Sequence, residues 1–200
     1  MGEAIRFYFD FSSPYSYFAS IQIDEIGARF GREVEWKPIM IGTAFKASCN
    51  RPLVDQPLKG DYSRHDWERM ARMLAVPYRF PDRFPVPALA PSRAFWWLNG
   101  QDKALARRYA GAVFNAYFAE NRDISEVAVA TELAGRLGID AGALEAAIQD
   151  PVWKQRLKDE TDAAIAVGVF GAPFFVVDGE GFWGADRLGM IEAWLKRGGW

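Results

Sequence analysis

Strand-like patterns lie at the two ends of this sequence and fade between them, and no other feature constrains the fold as much. Ile5 to Asp10 alternates apolar and polar residues and is rich in β-formers; Val34 to Ile39 repeats the pattern. Between them, Ser13 is a suitable N-cap and Pro14 a suitable first helical residue. Tyr17, Phe18, Ile21 and Ile26 then mark an apolar helical face that Gly31 ends. The first forty residues therefore read β-α-β.

From Ile41 to Val167 the strand signals fade, and six segments show helical spacing. Tyr62 to Leu74, Ser92 to Leu98, Asp102 to Glu120, Ser125 to Leu137, Ala141 to Ile148 and Val152 to Val167 are separated by Gly, Pro and Asn/Asp breaks. One connector, Phe80 to Pro87, carries enough proline to force a stiff, extended path. It either lines a cleft or only joins helices. Strand signals return at Pro173 to Val177, followed by the Asp178-Gly179 turn and a short strand through Phe182-Trp183. A last helix runs from Asp186, its expected N-cap, to Arg197. The expectation is an α/β domain made of residues 1–40 and 168–200, with an all-helical insertion over 41–167.

Composition removes several classes of function. Acidic and basic residues are mixed along the chain and the net charge is −2, so no nucleic-acid patch or polybasic membrane anchor is expected. No apolar run suffices to cross a bilayer, and Met1 to Arg6 lacks a signal-peptide layout. The single cysteine, Cys49, cannot form an internal disulfide and reads as an inert thiol; the cytoplasm is the expected compartment. The single histidine, His65, lies in a charged run and reads as solvated. A lone His in a charged run and a lone inert Cys argue against a metal site or a Cys–His dyad, which points to hydroxyls, amides, charges or a borrowed group for any chemistry.

With cysteines in place of its two serines, the turn after the first strand, Ser13-Pro14-Tyr15-Ser16, would read Cys-Pro-Tyr-Cys, the kind of motif a thiol–disulfide enzyme carries at a helix start. With the helical insertion, and with Gly171-Ala172-Pro173 before a β-β-α tail, it resembles the DsbA-type branch of the thioredoxin superfamily. Within that branch the chain resembles 2-hydroxychromene-2-carboxylate isomerases and the related kappa-class glutathione transferases. The matching pieces run from end to end: Phe7 to Tyr17, Lys46 with Asn50-Arg51-Pro52, Phe84 to Pro87, Val169 to Pro173, and Trp183 to Leu188.

The resemblance implies a thioredoxin-like domain with a helical insertion, and glutathione as the source of the missing sulfur. Ser13, otherwise a plain N-cap, would donate its O–H to the glutathione thiolate at a helix start that favours an anion. Pro173 would form the cis-proline loop, turning the Ala172 backbone toward an extended peptide. Asp186, beside Trp183, Gly184 and Ala185, would hold the α-amino group of the γ-glutamyl arm. Ala185 departs from the Ser or Asn common there, which leaves backbone N–H groups to grip the α-carboxylate. Lys46, Asn50 and Arg51 would meet the carboxylate of a small aromatic substrate, and Phe84 and Pro85 would wall it. The implied activity is glutathione-dependent cis–trans isomerisation in naphthalene-type catabolism. Two alternatives remain: a transferase that keeps the glutathione conjugate, and a non-catalytic thioredoxin-fold module that binds peptides at Ala172-Pro173. Relatives of this kind often pair, so a homodimer belongs with these expectations.

Overall fold

The computed structural model describes residues 2–200. Strand β1 (Ile5–Phe9) leads into α1 (Pro14–Ser20) and α2 (Ile23–Arg29), then β2 (Val34–Pro38). Helices α3 (Ile41–Ala47), α4 (Lys59–Leu74), α5 (Leu89–Asn99), α6 (Lys103–Phe118), α7 (Val127–Arg136), α8 (Ala141–Gln149) and α9 (Pro151–Ala166) follow. The chain closes with β3 (Phe174–Val177), β4 (Glu180–Trp183), a 3₁₀ turn at Ala185–Arg187, and α10 (Leu188–Arg197).

The two ends of the sequence meet in one sheet of order β2-β1-β3-β4. β1 runs parallel to β2 and antiparallel to β3, with Phe7 opposite Phe175. Those two rings stack at 5.2 Å, and Trp36 packs edge-on against Phe7 at 5.1 Å, so aromatic cross-strand pairs fix the register. Phe9 continues the cluster into the helical part, reaching Phe95 of α5 and Phe114 of α6.

Two expectations need correction. The first helix is not continuous: α1 stops at Ser20, and Ile21, expected on its apolar face, is 44% exposed. The break re-aims the chain so that Ile23 and Ile26 of α2 enter the core. Residues 41–47, at the start of the expected helical insertion, form α3 although Gly42 and Thr43 are weak helix formers. Asp186 does not cap the final helix. It lies inside the 3₁₀ turn, and α10 begins after Arg187 without a side-chain cap.

Candidate active site

The β1–α1 turn, the α3 segment, one face of α4, the proline loop and the β3–β4 end converge on one cleft of about 940 Å³. Local sequence explains the floor. Ser13 is extended, at φ −97°, and caps α1, its Oγ accepting the Ser16 N–H at 3.2 Å. Its hydroxyl donates to the Ala172 carbonyl at 3.0 Å, which joins the first helix start to the residue before Pro173 across the whole sequence. The Ala172–Pro173 bond is cis. The Gly184 N–H donates to the Pro173 carbonyl at 3.0 Å, so the 184–186 segment lies against the same loop.

Two glycines allow these close approaches. Gly184 sits at φ +111°, a region that disfavours side chains. A Cβ on Gly171 would lie 2.6 Å from the Trp183 indole nitrogen, so only glycine lets that ring rest on the cis-proline loop. Trp183 is half exposed and packs edge-on against Phe170 at 4.9 Å.

Every residue named above as a site candidate lines this cleft: Ser13, Lys46, Asn50, Arg51, Phe84, Pro85, Ala172, Pro173, Trp183, Gly184, Ala185 and Asp186. Ser13, Ala172 and Ala185 are buried at its floor, while Lys46, Arg51 and Asp186 are exposed at its mouth. The Asn50 carboxamide oxygen accepts the Arg51 N–H at 2.9 Å, which leaves its amino group for the cleft. Asp186 has a cation beside it, Arg187 at 3.6 Å. The Phe80–Pro87 connector is a cleft wall over its second half, and its Phe84–Pro85 bond is also cis. Cys49 is exposed, and neither it nor His65 is among the cleft residues.

Several cleft residues were not singled out from the sequence. Lys59, Tyr62, Asp66, Trp67 and Met70 form a stripe on α4, at a spacing that puts them on one helical face. Tyr15 of the Ser-Pro-Tyr-Ser turn donates its hydroxyl to Asp66 at 2.8 Å, and burial together with that acceptor holds its pKa well above the usual phenol value. Arg69 binds the other Asp66 oxygen at 2.5 Å, so the acid is already paired. Trp67 is enclosed by Phe80, stacked at 5.8 Å, by Phe84 at 5.6 Å and by Tyr15 edge-on at 5.9 Å. By contrast Lys46, Arg51 and Lys59 join no ion pair among the described residues. An aromatic wall below unpaired cations suits a flat, anionic ligand. Asp10 also borders the cleft; burial pushes its pKa up to about 6, against the pull of two backbone N–H bonds.

A mixed four-stranded sheet, a helical segment between its second and third strands, and a helix start facing a cis-proline loop define a thioredoxin-type enzyme scaffold of the DsbA kind. The DSBA-like thioredoxin domain model matches residues 4–196, and the chain belongs to that family. Within it, the chain is 32% identical over 200 residues to a 2-hydroxychromene-2-carboxylate isomerase of Sphingobium xenophagum, covering 98% of this chain and 99% of the relative. It is 26% identical to human glutathione S-transferase kappa 1, covering 96% and 93% of the two chains. A solved structure of a 2-hydroxychromene-2-carboxylate isomerase superimposes with a TM-score of 0.88 at 28% identity, over 97% of this chain and 95% of that one. No helix among the described residues is long and apolar enough to cross a membrane.

Proposed function

We propose that this chain is a glutathione-dependent cis–trans isomerase of the 2-hydroxychromene-2-carboxylate type, working in the cytoplasm, where glutathione is kept reduced. The observation that carries the reading is Ser13. A hydroxyl occupies the nucleophile position of a thioredoxin-type site, 3.0 Å from the Ala172 carbonyl of the cis-proline loop, and no cysteine lines the cleft. Full-length similarity to named isomerases supports it.

The residues present fit a tripeptide thiol: a hydroxyl donor at the helix start, a backbone edge at Ala172, and a carboxylate at Asp186, in a cleft with room for a second molecule. When bound, glutathione supplies a thiolate that adds reversibly to the conjugated double bond, makes it rotatable, and leaves unchanged. Ser13 donates its O–H at the sulfur position, turning away from Ala172, whose carbonyl is then free for the peptide. Lys46, Arg51 and the Asn50 amino group hold the substrate carboxylate. Trp67 and Phe84 orient the aromatic ring and exclude water from it. Nothing is oxidised or reduced over the cycle, so no resolving thiol is needed.

The test is product analysis with 2-hydroxychromene-2-carboxylate, with and without glutathione. The expected outcome is trans-o-hydroxybenzylidenepyruvate formed only when glutathione is present, and glutathione fully recovered. The 26% identity to a kappa-class transferase favours one second reading, conjugation of an electrophile. Glutathione consumed one-for-one in a stable adduct would establish it instead.

A further inference from the structure

We propose that Asp10 is a positioning residue whose carboxylate ties the turn presenting Ser13 to the helix carrying Lys46. For its chemistry this rests on the isomerase reading above. For its geometry it rests on hydrogen bonds within the chain alone. Asp10 follows β1 directly and is only 6% exposed. Its Oδ1 accepts the Ser12 N–H at 2.7 Å, inside the turn that presents Ser13. Its Oδ2 accepts the Ile41 N–H at 3.0 Å, at the first residue of α3. The Ser12 hydroxyl in turn accepts the Val86 N–H at 3.1 Å, so the Phe84–Pro85 wall hangs on the same turn. Asp10 thus ties the turn that presents Ser13 to the helix carrying Lys46, and Ser12 adds the proline wall to the same turn.

The choice of a carboxylate is informative. An ionised carboxylate buried without a cation is a costly way to fill space. Its distinguishing property is two oxygens that are both pure acceptors, each able to satisfy a separate N–H. A protonated acid or an amide has one such oxygen, and the second site becomes a donor facing a donor. Burial raises the Asp10 pKa to about 6, so the clamp is complete above that pH and half-lost below it. From α6 the Tyr117 phenol faces Asp10; α9 contributes the neutral Thr161 hydroxyl, which accepts the neighbouring Met40 N–H at 3.1 Å. Asp10 joins no ion pair among the described residues and accepts only from the Ser12 and Ile41 backbone N–H groups, so protonation is not masked by a charged partner.

The test follows the backbone amide resonances of the full chain by NMR from about pH 4.5 to 8. The Ser12 and Ile41 amides are expected to shift together with one shared midpoint near 6, and Asp10→Asn is expected to abolish that shift. In the isomerase assay Asp10→Asn should lower turnover at pH 8 by about tenfold, the scale of one lost charge-assisted hydrogen bond, and remove the midpoint near 6 from the rate–pH profile. Amides that titrate separately, or not at all, overturn the proposal, and the wild-type protein alone decides this if the variant does not fold. Joint titration in a protein without isomerase activity would support the clamp and refute the isomerase reading.

Discussion

Replacing Ser13 by alanine removes a hydroxyl with two partners in the free protein, and their geometry sets what should follow. Its oxygen accepts from Ser16, at 3.2 Å, and its single hydrogen is donated to Ala172, at 3.0 Å. Loss of an N-cap side chain costs about 1 kcal/mol, and an unmade bond to Ala172 costs about as much again. For a chain of this size, about 2 kcal/mol corresponds to a fall in melting temperature of roughly 4–8 °C, leaving the protein folded. The effect on bound glutathione is smaller than the loss of an isolated hydrogen bond would suggest. With one hydrogen, Ser13 can serve the thiolate only by releasing Ala172. The thiolate therefore gains the difference between a charge-assisted bond, about 1.5–3 kcal/mol, and a neutral one, about 0.5–1.5 kcal/mol. That difference, about 1 kcal/mol, corresponds to somewhat less than one pKa unit. Ser13→Ala should accordingly raise the thiolate midpoint of bound glutathione by about that amount. Ultraviolet absorbance of the bound thiolate against pH, wild type beside variant, measures it. Coincident midpoints would reduce Ser13 to a helix cap and remove the central residue of the proposed mechanism.

Arg51→Ala should weaken binding of an aromatic carboxylate by about tenfold or more, with glutathione affinity little changed; equal loss for both, measured by calorimetry, would place Arg51 elsewhere. Insulin reduction with a dithiol should proceed at the uncatalysed rate, because Ser13 and Ser16 cannot form mixed disulfides and Cys49 lies outside the cleft. Trp67→Ala, truncating a side chain only 2% exposed, should cost about 3–5 kcal/mol in chemical denaturation, and a cost below 1 kcal/mol would mean that the aromatic wall is not packed as described. Asp10 gives stability a pH dependence of known sign. Its pKa is raised from 3.8 to about 6, so the folded state binds the extra proton between those values. The contribution is complete below 3.8 and is lost as pH rises through 6, about 3 kcal/mol in all; a denaturation series that rises or stays flat over this window in wild type, against Asp10→Asn, contradicts it.

How much of this site is visible in the sequence depends on whether the signal is local. The end strands announce themselves by alternation, and the Asp178-Gly179 turn by composition, so the sheet is legible. Ser13 is legible as a cap because the cap pattern spans four residues. Its bond to Ala172 is not, since only tertiary structure brings those residues together. The α4 stripe at Tyr62, Asp66 and Met70 has ordinary helical spacing and reads as one face of a helix; nothing local says that the face lines a cleft rather than a core. The bounds of α3 are not legible, because seven residues containing Gly42 and Thr43 carry little helical signal and its start is held from outside, by Asp10 and Thr161. Asp186 misleads in the opposite way: acid before an apolar run is the usual cap pattern, but the 3₁₀ turn that follows Gly184 moves the cap one residue on, to Arg187.

The second serine of the turn shows why a borrowed sulfur suits this scaffold. Ser16 is fully buried on α1, its hydroxyl has no hydrogen-bond partner, and it is not among the cleft residues. A thiol at that position would face the core, while Ser13 borders the cleft beside the cis-proline loop. The two serine positions of the turn are therefore unequal: one can meet a ligand and the other cannot without local opening of α1. Chemistry at such a site is simplest with one sulfur that arrives, acts and leaves. A second sulfur would add only the mixed disulfide that a thiolate addition–elimination cycle must avoid. A hydroxyl at Ser13 would meet that requirement, because a hydroxyl can donate a hydrogen bond to a thiolate and cannot form a disulfide with it.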